Sequence, residues 1–518
     1  MQAFHLVEGL DVPVDTELVF ASFPDRESSV FVLDGGGAQS NPRLDGFAYW
    51  GAEPVVRFVA HRQRDESGRI VRDERGRALG RVVIRGHGHS QTFERVNPWD
   101  VLSRFYEAHT LPGRLLQPNG FPFRAGLVGY VGYEAGQFLE KLPCENRLSQ
   151  GLPDIALSLY RWVIARNRRT GQSHLSVIGV GNGRTEARRE AERLRDEVLS
   201  QLRKGHEALN APSRAPLLSN RGKGQGDGGS RRLADEGFER PRSFVDRDGY
   251  LERIRIAKEH IACGDAFEIC LTKAHRAPFP LSQARALFSH LRHRNAAPFA
   301  GYWESDDFAI VSSSPERFVS LDADGWAESR PIKGTRPRGE TEELDEKLAF
   351  ELAHSEKDRA ENAMIVDLAR NDLGKVCRLG TVAVPELFAV ERYATVHQLV
   401  STIRGQLLAD KNAIDLVRAC FPPGSMTGAP KIEAMRILEG LEPVERGVYA
   451  GAFGWFDVAG AMDLSVVIRT LVLANDEATF SVGGAIVADS DPQAEHDEAE
   501  LKAKALVHAL EAFAMGRA

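Results

Sequence analysis

The segment from about residue 203 to 243 limits how this chain can fold more than any other feature. It is rich in Gly, Ser, Pro, Arg and Lys, and Ser219–Arg232 (SNRGKGQGDGGSRR) carries no large apolar side chain. Such a stretch cannot bury enough surface to offset its ordering entropy. It is expected to be a flexible linker between a first region, 1–202, and a second, 244–518. Outside it the composition is that of an ordinary globular protein, with 42% hydrophobic and 27% charged residues among 518. The net charge of −7 leaves no basic excess for nucleic acid, although a pocket can still be locally basic.

In the first region Glu17–Phe23, Ser29–Leu33, Val55–Ala60 and Leu79–Ile84 alternate as strands do. Gly126–Gly136 (GLVGYVGYEAG) has the glycines of a strand followed by a close-packed turn. Strand His174–Val180 precedes a helix at Thr185–Leu202, where Ala187, Ala191, Leu194, Val198 and Leu202 recur at helical spacing. Between them, Gly179-Val-Gly-Asn-Gly183 mimics a dinucleotide-binding turn. It lacks the third glycine at the proper spacing and the later acidic strand, so no nucleotide is expected. The glycines at 222–229 lack the GK[ST] ending of a phosphate loop. Five dispersed cysteines without CxxC spacing argue against a zinc site or a disulfide framework. The N-terminus has no signal-peptide pattern, and no apolar run reaches membrane-spanning length. A cytoplasmic protein without membrane contact is expected.

The candidate chemistry lies in the second region. Asp358 and Glu361, at i, i+3, share a face of a helix in Ser355–Leu368, and Glu495 and Glu498 repeat the arrangement in Pro492–Leu510. Lys502 lies one turn beyond Glu498. Two such pairs are either solvated faces or an all-oxygen site suited to Mg²⁺. Lys333 sits between a probable strand and a glycine turn, where partial desolvation would lower its pKa and make the amine a nucleophile or base. Glu316, in the turn of SSSPERF, is a plausible general acid or base if buried. Arg469 falls in the apolar strand Leu464–Leu473, where a guanidinium needs a carboxylate or an internal ion pair. The glycine turns of 421–431 and 481–485 can present backbone N–H groups to carboxylates.

In order along the chain, GDAFEICLT (264–272), SSSPERF (312–318), PIKGT (331–335), DRAENAMIVDLARNDLG (358–374), FPPGSMTGAPK (421–431), MDLSVVIRT (462–470) and GGAIVADSDPQAEHDE (483–498) resemble the chorismate-utilising enzymes. That resemblance implies an α/β fold of α+β type, a large sandwich of two stacked antiparallel-rich sheets with outer helices. Both regions would contribute, with the linker looping out. It implies Mg²⁺ held by Glu361 and Glu498, with Asp358 and Glu495 as companion or water-mediated ligands. It puts substrate contacts on Gly334, Thr335, Thr427, Tyr449, Arg469, Gly483, Gly484, Ala485 and Lys502. His397 matches the family's catalytic histidine near the substrate ring, which implies an acid, base or orienting role.

Within the family, PIKGT resembles the aminodeoxychorismate-forming branch, in which the lysine, here Lys333, attacks ring carbon C2 as the C4 hydroxyl leaves, with Glu316 as the acid. Ammonia then displaces the lysine by attack at C4. Anthranilate-forming members have a small residue at the lysine position. Isochorismate- and salicylate-forming members have a water-activating lysine where this chain has Glu268. Glutamine is common there in the bacterial aminodeoxychorismate-forming enzymes, so Glu268 is a departure. None of the five cysteines has the setting of a glutaminase nucleophile, so ammonia from a separate glutaminase subunit is expected, with p-aminobenzoate and folate downstream of a separate lyase. Asp25–Ser29 occupies the place where relatives can hold tryptophan, and no ligand is assigned to it.

Overall fold

The computed structural model describes residues 2–35, 46–86, 88–116, 120–143, 148–211, 239–393 and 396–514. Among these, two antiparallel sheets of twelve strands each form the frame. Both sheets draw on both sides of the 203–243 segment. In the first, Phe31–Leu33 pairs with Phe299–Glu304 in the register Val32↔Tyr302. In the second, Gly126–Val131 pairs with Ala452–Asp457 in the register Gly129↔Gly454. The two regions are therefore one fold.

Between the sheets lies an aromatic core of Phe31, Tyr49, Phe123, Tyr130, Tyr160, Trp303, Phe308, Phe453 and Trp455. Phe123 stacks on Trp455 with centroids 4.9 Å apart, and Tyr49 meets Phe123 edge-on at 5.5 Å. These offset and edge geometries suit the ring quadrupoles. Leu287, Ile254, Leu506 and Leu510 belong to helices on the outside of the first sheet, while Trp99, Leu102, Leu416 and Val417 belong to helices on the outside of the second. Among the described residues no helix is long and apolar enough to cross a membrane.

Gly129 has φ +150, and a Cβ there would lie 2.2 Å from the Ala156 carbonyl oxygen on the neighbouring strand. Gly129→Ala is expected to lower the unfolding free energy by roughly 3 kcal/mol through overpacking and backbone strain, measured by urea denaturation.

Several expectations change. Glu17–Phe23 is not a strand: Thr16–Ser22 is helical, started by Asp15, whose side chain accepts from the Leu18 N–H at 2.8 Å. A short apolar run does not distinguish the two by period. The helix placed at Thr185–Leu202 spans Arg184–Asn210, past the expected start of the linker. Gly205 lets it approach Ser22, since a Cβ there would lie 2.2 Å from Ser22 Oγ. Arg242–Ser243 forms a short edge strand on Glu268–Pro278, so it too is not linker. Residues 212–238 and Cys144 lie outside the described residues, and the other four cysteines are free thiols. The glycines of 179–183 serve packing: a Cβ at Gly179 would lie 2.0 Å from the Ala187 carbonyl of the following helix. Finally, Leu464–Leu473 is not one strand. Met462–Val466 belongs to the second sheet and Thr470–Ala474 to the first, and Arg469, with φ +52, sits where the chain crosses.

Candidate active site

Lys333 lies in Ile332–Pro337 at the end of the second sheet, and Glu268 begins Glu268–Pro278 in the first. The Lys333 Nζ donates to Glu268 Oε1 at 2.7 Å, so one ion pair ties the two sheets together. Glu268 is fully buried, and its Oε2 has no hydrogen-bond partner among the described residues. Burial alone would lower the Lys333 pKa, but the carboxylates of Glu268 and Glu361 outweigh it and hold the ammonium well above the usual lysine range. The expectation of a depressed amine pKa is thus overturned, because the opposing charge comes from a distant part of the sequence.

Glu316 lies between strands Phe308–Ser314 and Arg317–Leu321 and is buried. Burial pushes its carboxyl up to about 7, against a hydrogen bond from Ser425, the Lys333 charge and the backbone N–H of Ile332. A carboxyl so placed carries a proton near neutral pH and can give it to a leaving group.

Arg469, at the crossing between the sheets, has no carboxylate partner among the described residues, and burial lowers its pKa. Tyr449 and Glu498 lie in its field. Burial pushes the phenol of Tyr449 above its usual range. A partly desolvated guanidinium without an internal anion is suited to a carboxylate supplied from outside. Nearby, Lys502 donates to the Gly483 carbonyl at 2.9 Å and to Glu498 Oε1 at 2.8 Å. Gly483, Gly484 and Ala485 pair with Thr272, Leu271 and Cys270. At Gly484 a Cβ would lie 3.0 Å from Glu495 Oε2, so glycine leaves the space beside Glu495 open. Gly334 has φ +88, and the Asp358 carboxylate lies 2.8 Å from where its Cβ would be. Thr335 is exposed. Thr427 is fully buried and donates its hydroxyl to the Gly424 carbonyl at 3.1 Å.

His397 is set apart. It is fully buried, with Nε2 2.8 Å from Asp345 Oδ1, and Arg338 and the Gly339 N–H hold that same carboxylate. No hydrogen bond links it to Lys333 or Glu316 among the described residues. Its Nδ1 is buried without a partner among the described residues.

Helices Glu356–Gly374 and Pro492–Ala514 carry the four acidic residues. Ser355 caps the first helix by accepting from the Asp358 N–H. The Lys357 ammonium lies 3.9 Å from Glu361 and 3.5 Å from Glu495, bridging the helices. Burial pushes Glu361 up to about 7, with Lys333 and Lys357 opposing and Glu268 and Asp358 adding. Among the described residues no three metal-ligating side chains converge closely enough to chelate an ion as they stand. The residues nevertheless fit a hard cation: carboxylates from two helices face one half-exposed lysine at loose distances. Mg²⁺ is ordinarily held by one or two carboxylates plus water and substrate oxygens.

Sequence reasoning missed Lys357, Ser425 and the Glu268 pairing. Lys357 stands at i, i+4 to Glu361, a spacing that could have flagged it. Ser425 lies inside a quoted motif, but nothing local says that it meets Glu316.

An aminodeoxychorismate synthase of Streptomyces pristinaespiralis is 43% identical over 78% of this chain and 53% of its own length. Aminodeoxychorismate synthase component 1 of Salmonella typhimurium is 37% identical over 80% of this chain and 83% of its own. An anthranilate synthase component 1 of Thermus thermophilus is also 37% identical, over 85% and 90%. The chain spans about half the length of the longer plant and Streptomyces synthases it matches. The crystal structure of anthranilate synthase component I from Streptococcus pneumoniae superposes with a TM-score of 0.69 at 27% identity, covering 90% of this chain and 93% of that one. The sequence model of chorismate-binding enzymes matches residues 70–508, and with the two-sheet sandwich found here this makes the chain a member of the chorismate-binding enzyme family.

Proposed function

We propose that this chain aminates chorismate at C4 with ammonia, giving 4-amino-4-deoxychorismate for p-aminobenzoate and folate synthesis. The observation that carries the reading is the half-buried Lys333 amine beside Glu316, a carboxyl with a pKa of about 7. Arg469 and Tyr449 bind the enolpyruvyl carboxylate. Lys333, once neutral, attacks C2 while Glu316 protonates the departing C4 hydroxyl, which leaves as water. Ammonia then attacks C4 and gives a proton to Glu316 as the C2–N bond to Lys333 breaks. Glu361 and Glu498, with Asp358 and Glu495 beside them, would hold Mg²⁺, which supplies positive charge for the ring carboxylate. His397, hydrogen-bonded to Asp345, orients its strand near the ring rather than transferring a proton. The component 1 designation of the Salmonella relative supports a separate partner subunit, which we take to be a glutaminase.

The equal identity of the Thermus anthranilate synthase favours a second reading, amination at C2 and release of anthranilate. The test is to incubate the purified chain with chorismate, Mg²⁺ and excess ammonium at mildly alkaline pH. Products are resolved by chromatography and mass with and without an aminodeoxychorismate lyase. p-Aminobenzoate that forms only with the lyase supports C4 amination. Fluorescent anthranilate without the lyase overturns it.

Glu268→Gln is expected to raise kcat/KM. Removing the carboxylate charge lowers the Lys333 pKa, so the neutral amine is more populated at every working pH, about tenfold for each pH unit by which that pKa falls. A fall in kcat/KM across the pH profile would instead mean that Glu268 itself takes the lysine proton.

A further inference from the structure

Arg446 follows the helix Lys431–Leu441 and is buried, as is its partner Glu442. Its Nε and Nη2 donate to the two Glu442 oxygens at 2.8 and 2.7 Å. That pair alone is an ordinary buried ion pair. The other contacts of the guanidinium distinguish it. Nη1 donates to the Met426 carbonyl at 2.5 Å, and Nη2 also donates to the Cys270 carbonyl at 2.7 Å.

Each acceptor belongs to a segment that carries a reacting group's partner. Met426 adjoins Ser425, which lines the same small cavity as Glu316. Cys270 is two residues along its strand from Glu268, on the same face, and Glu268 holds Lys333. Glu442 Oε1 accepts from both the N–H and the hydroxyl of Thr272, fixing the same strand once more. Arg446 is itself held: the Glu134 carboxylate accepts from the backbone N–H groups of Arg446 and Gly447 at 2.9 and 2.8 Å. The Tyr133 ring lies 4.4 Å from the guanidinium carbon. The chain then runs directly on to Tyr449.

We propose that Arg446 is a positioning residue that fixes the spacing between Lys333 and Glu316 by clamping the backbones of 425–427 and 268–272. The proposal rests on the amination reading above. A planar fork can donate in several fixed directions at once, whereas a lysine ammonium acts as a point charge. Misplacing reacting groups by about 1 Å can cost about a hundredfold in rate.

The test compares Arg446→Lys with Arg285→Lys. Arg285 also pairs with a buried carboxylate, Glu304, and donates to the Phe23 carbonyl, with no contact to the site residues. Arg446→Lys is expected to lower kcat about a hundredfold with the chorismate KM near the wild-type value. Arg285→Lys is expected to lose thermal stability but keep its kcat. A near-wild-type kcat in Arg446→Lys overturns the proposal, and so does a loss of kcat that tracks Tm equally in both variants. Should Arg446→Lys fail to fold, Glu442→Gln takes its place: a reduced kcat at unchanged KM supports the clamp, and an unchanged kcat overturns it. A wild-type chain that makes no 4-amino-4-deoxychorismate defeats the amination reading instead, before any variant is measured.

Discussion

Lys333→Ala is expected to lower chorismate turnover by at least about a thousandfold, the scale of removing a nucleophile that acts in concert with an acid. Lys333→Arg is expected to be equally inactive. Arginine keeps the positive charge beside Glu268 but is not deprotonated in proteins, so it cannot attack C2. The pair of variants therefore separates two roles of the lysine, counter-charge and nucleophile. Intact-mass measurement with chorismate and no ammonia should show a covalent adduct on the wild-type chain and none on either variant. An active Lys333→Arg chain would falsify the nucleophile role. The alanine variant also leaves the Glu268 carboxylate buried without its cation. Removing one member of a buried pair typically costs about 3–5 kcal/mol. Adding Glu268→Gln to Lys333→Ala removes the uncompensated charge and should restore part of that loss, a contrast readable in Tm.

The parts of this site that were legible in the sequence are those set by local spacing. The acidic pairs Asp358/Glu361 and Glu495/Glu498 stand on helices because i, i+3 spacing, a serine cap and a proline start are local signals. The strand and close turn at 126–138 likewise follow from glycines that neighbouring backbones approach. What the sequence withheld depends on contacts across the sheets. Glu268 and Lys333 are 65 residues apart and lie in different sheets, so nothing near Lys333 announces the carboxylate that reverses its expected pKa. The run Leu464–Leu473 is apolar except at Ser465, Arg469 and Thr470 because the strands on both sides of the crossing are buried, and burial hides the crossing itself. Arg469 marks the place only by its left-handed backbone and its guanidinium, which has no carboxylate partner among the described residues. The helix to Asn210 extends past an apolar pattern because Gly205 packs on Ser22, nearly two hundred residues earlier in the chain.

Glu316→Gln tests the other half of the chemistry through its pH profile. In the wild-type chain the Glu316 carboxyl sits at about 7, while the Lys333 ammonium is held well above the usual lysine range. The proposed reaction needs the acid protonated and the amine neutral, the reverse of the forms that predominate between those two values. The product of the two fractions rises about tenfold per pH unit below about 7 and is level above it. Wild-type kcat/KM should therefore bend at about pH 7, with saturating Mg²⁺ keeping Glu361 ionised so that the bend belongs to Glu316. The glutamine variant cannot give up a proton, and its kcat is expected to fall by about a hundredfold or more. Its kcat/KM should also lose the bend and go on rising with pH, because only Lys333 then titrates. A bend at about 7 that survives in Glu316→Gln would show that another group supplies the proton to the C4 hydroxyl. A lost bend with full activity would show that the hydroxyl leaves without an acid from the protein.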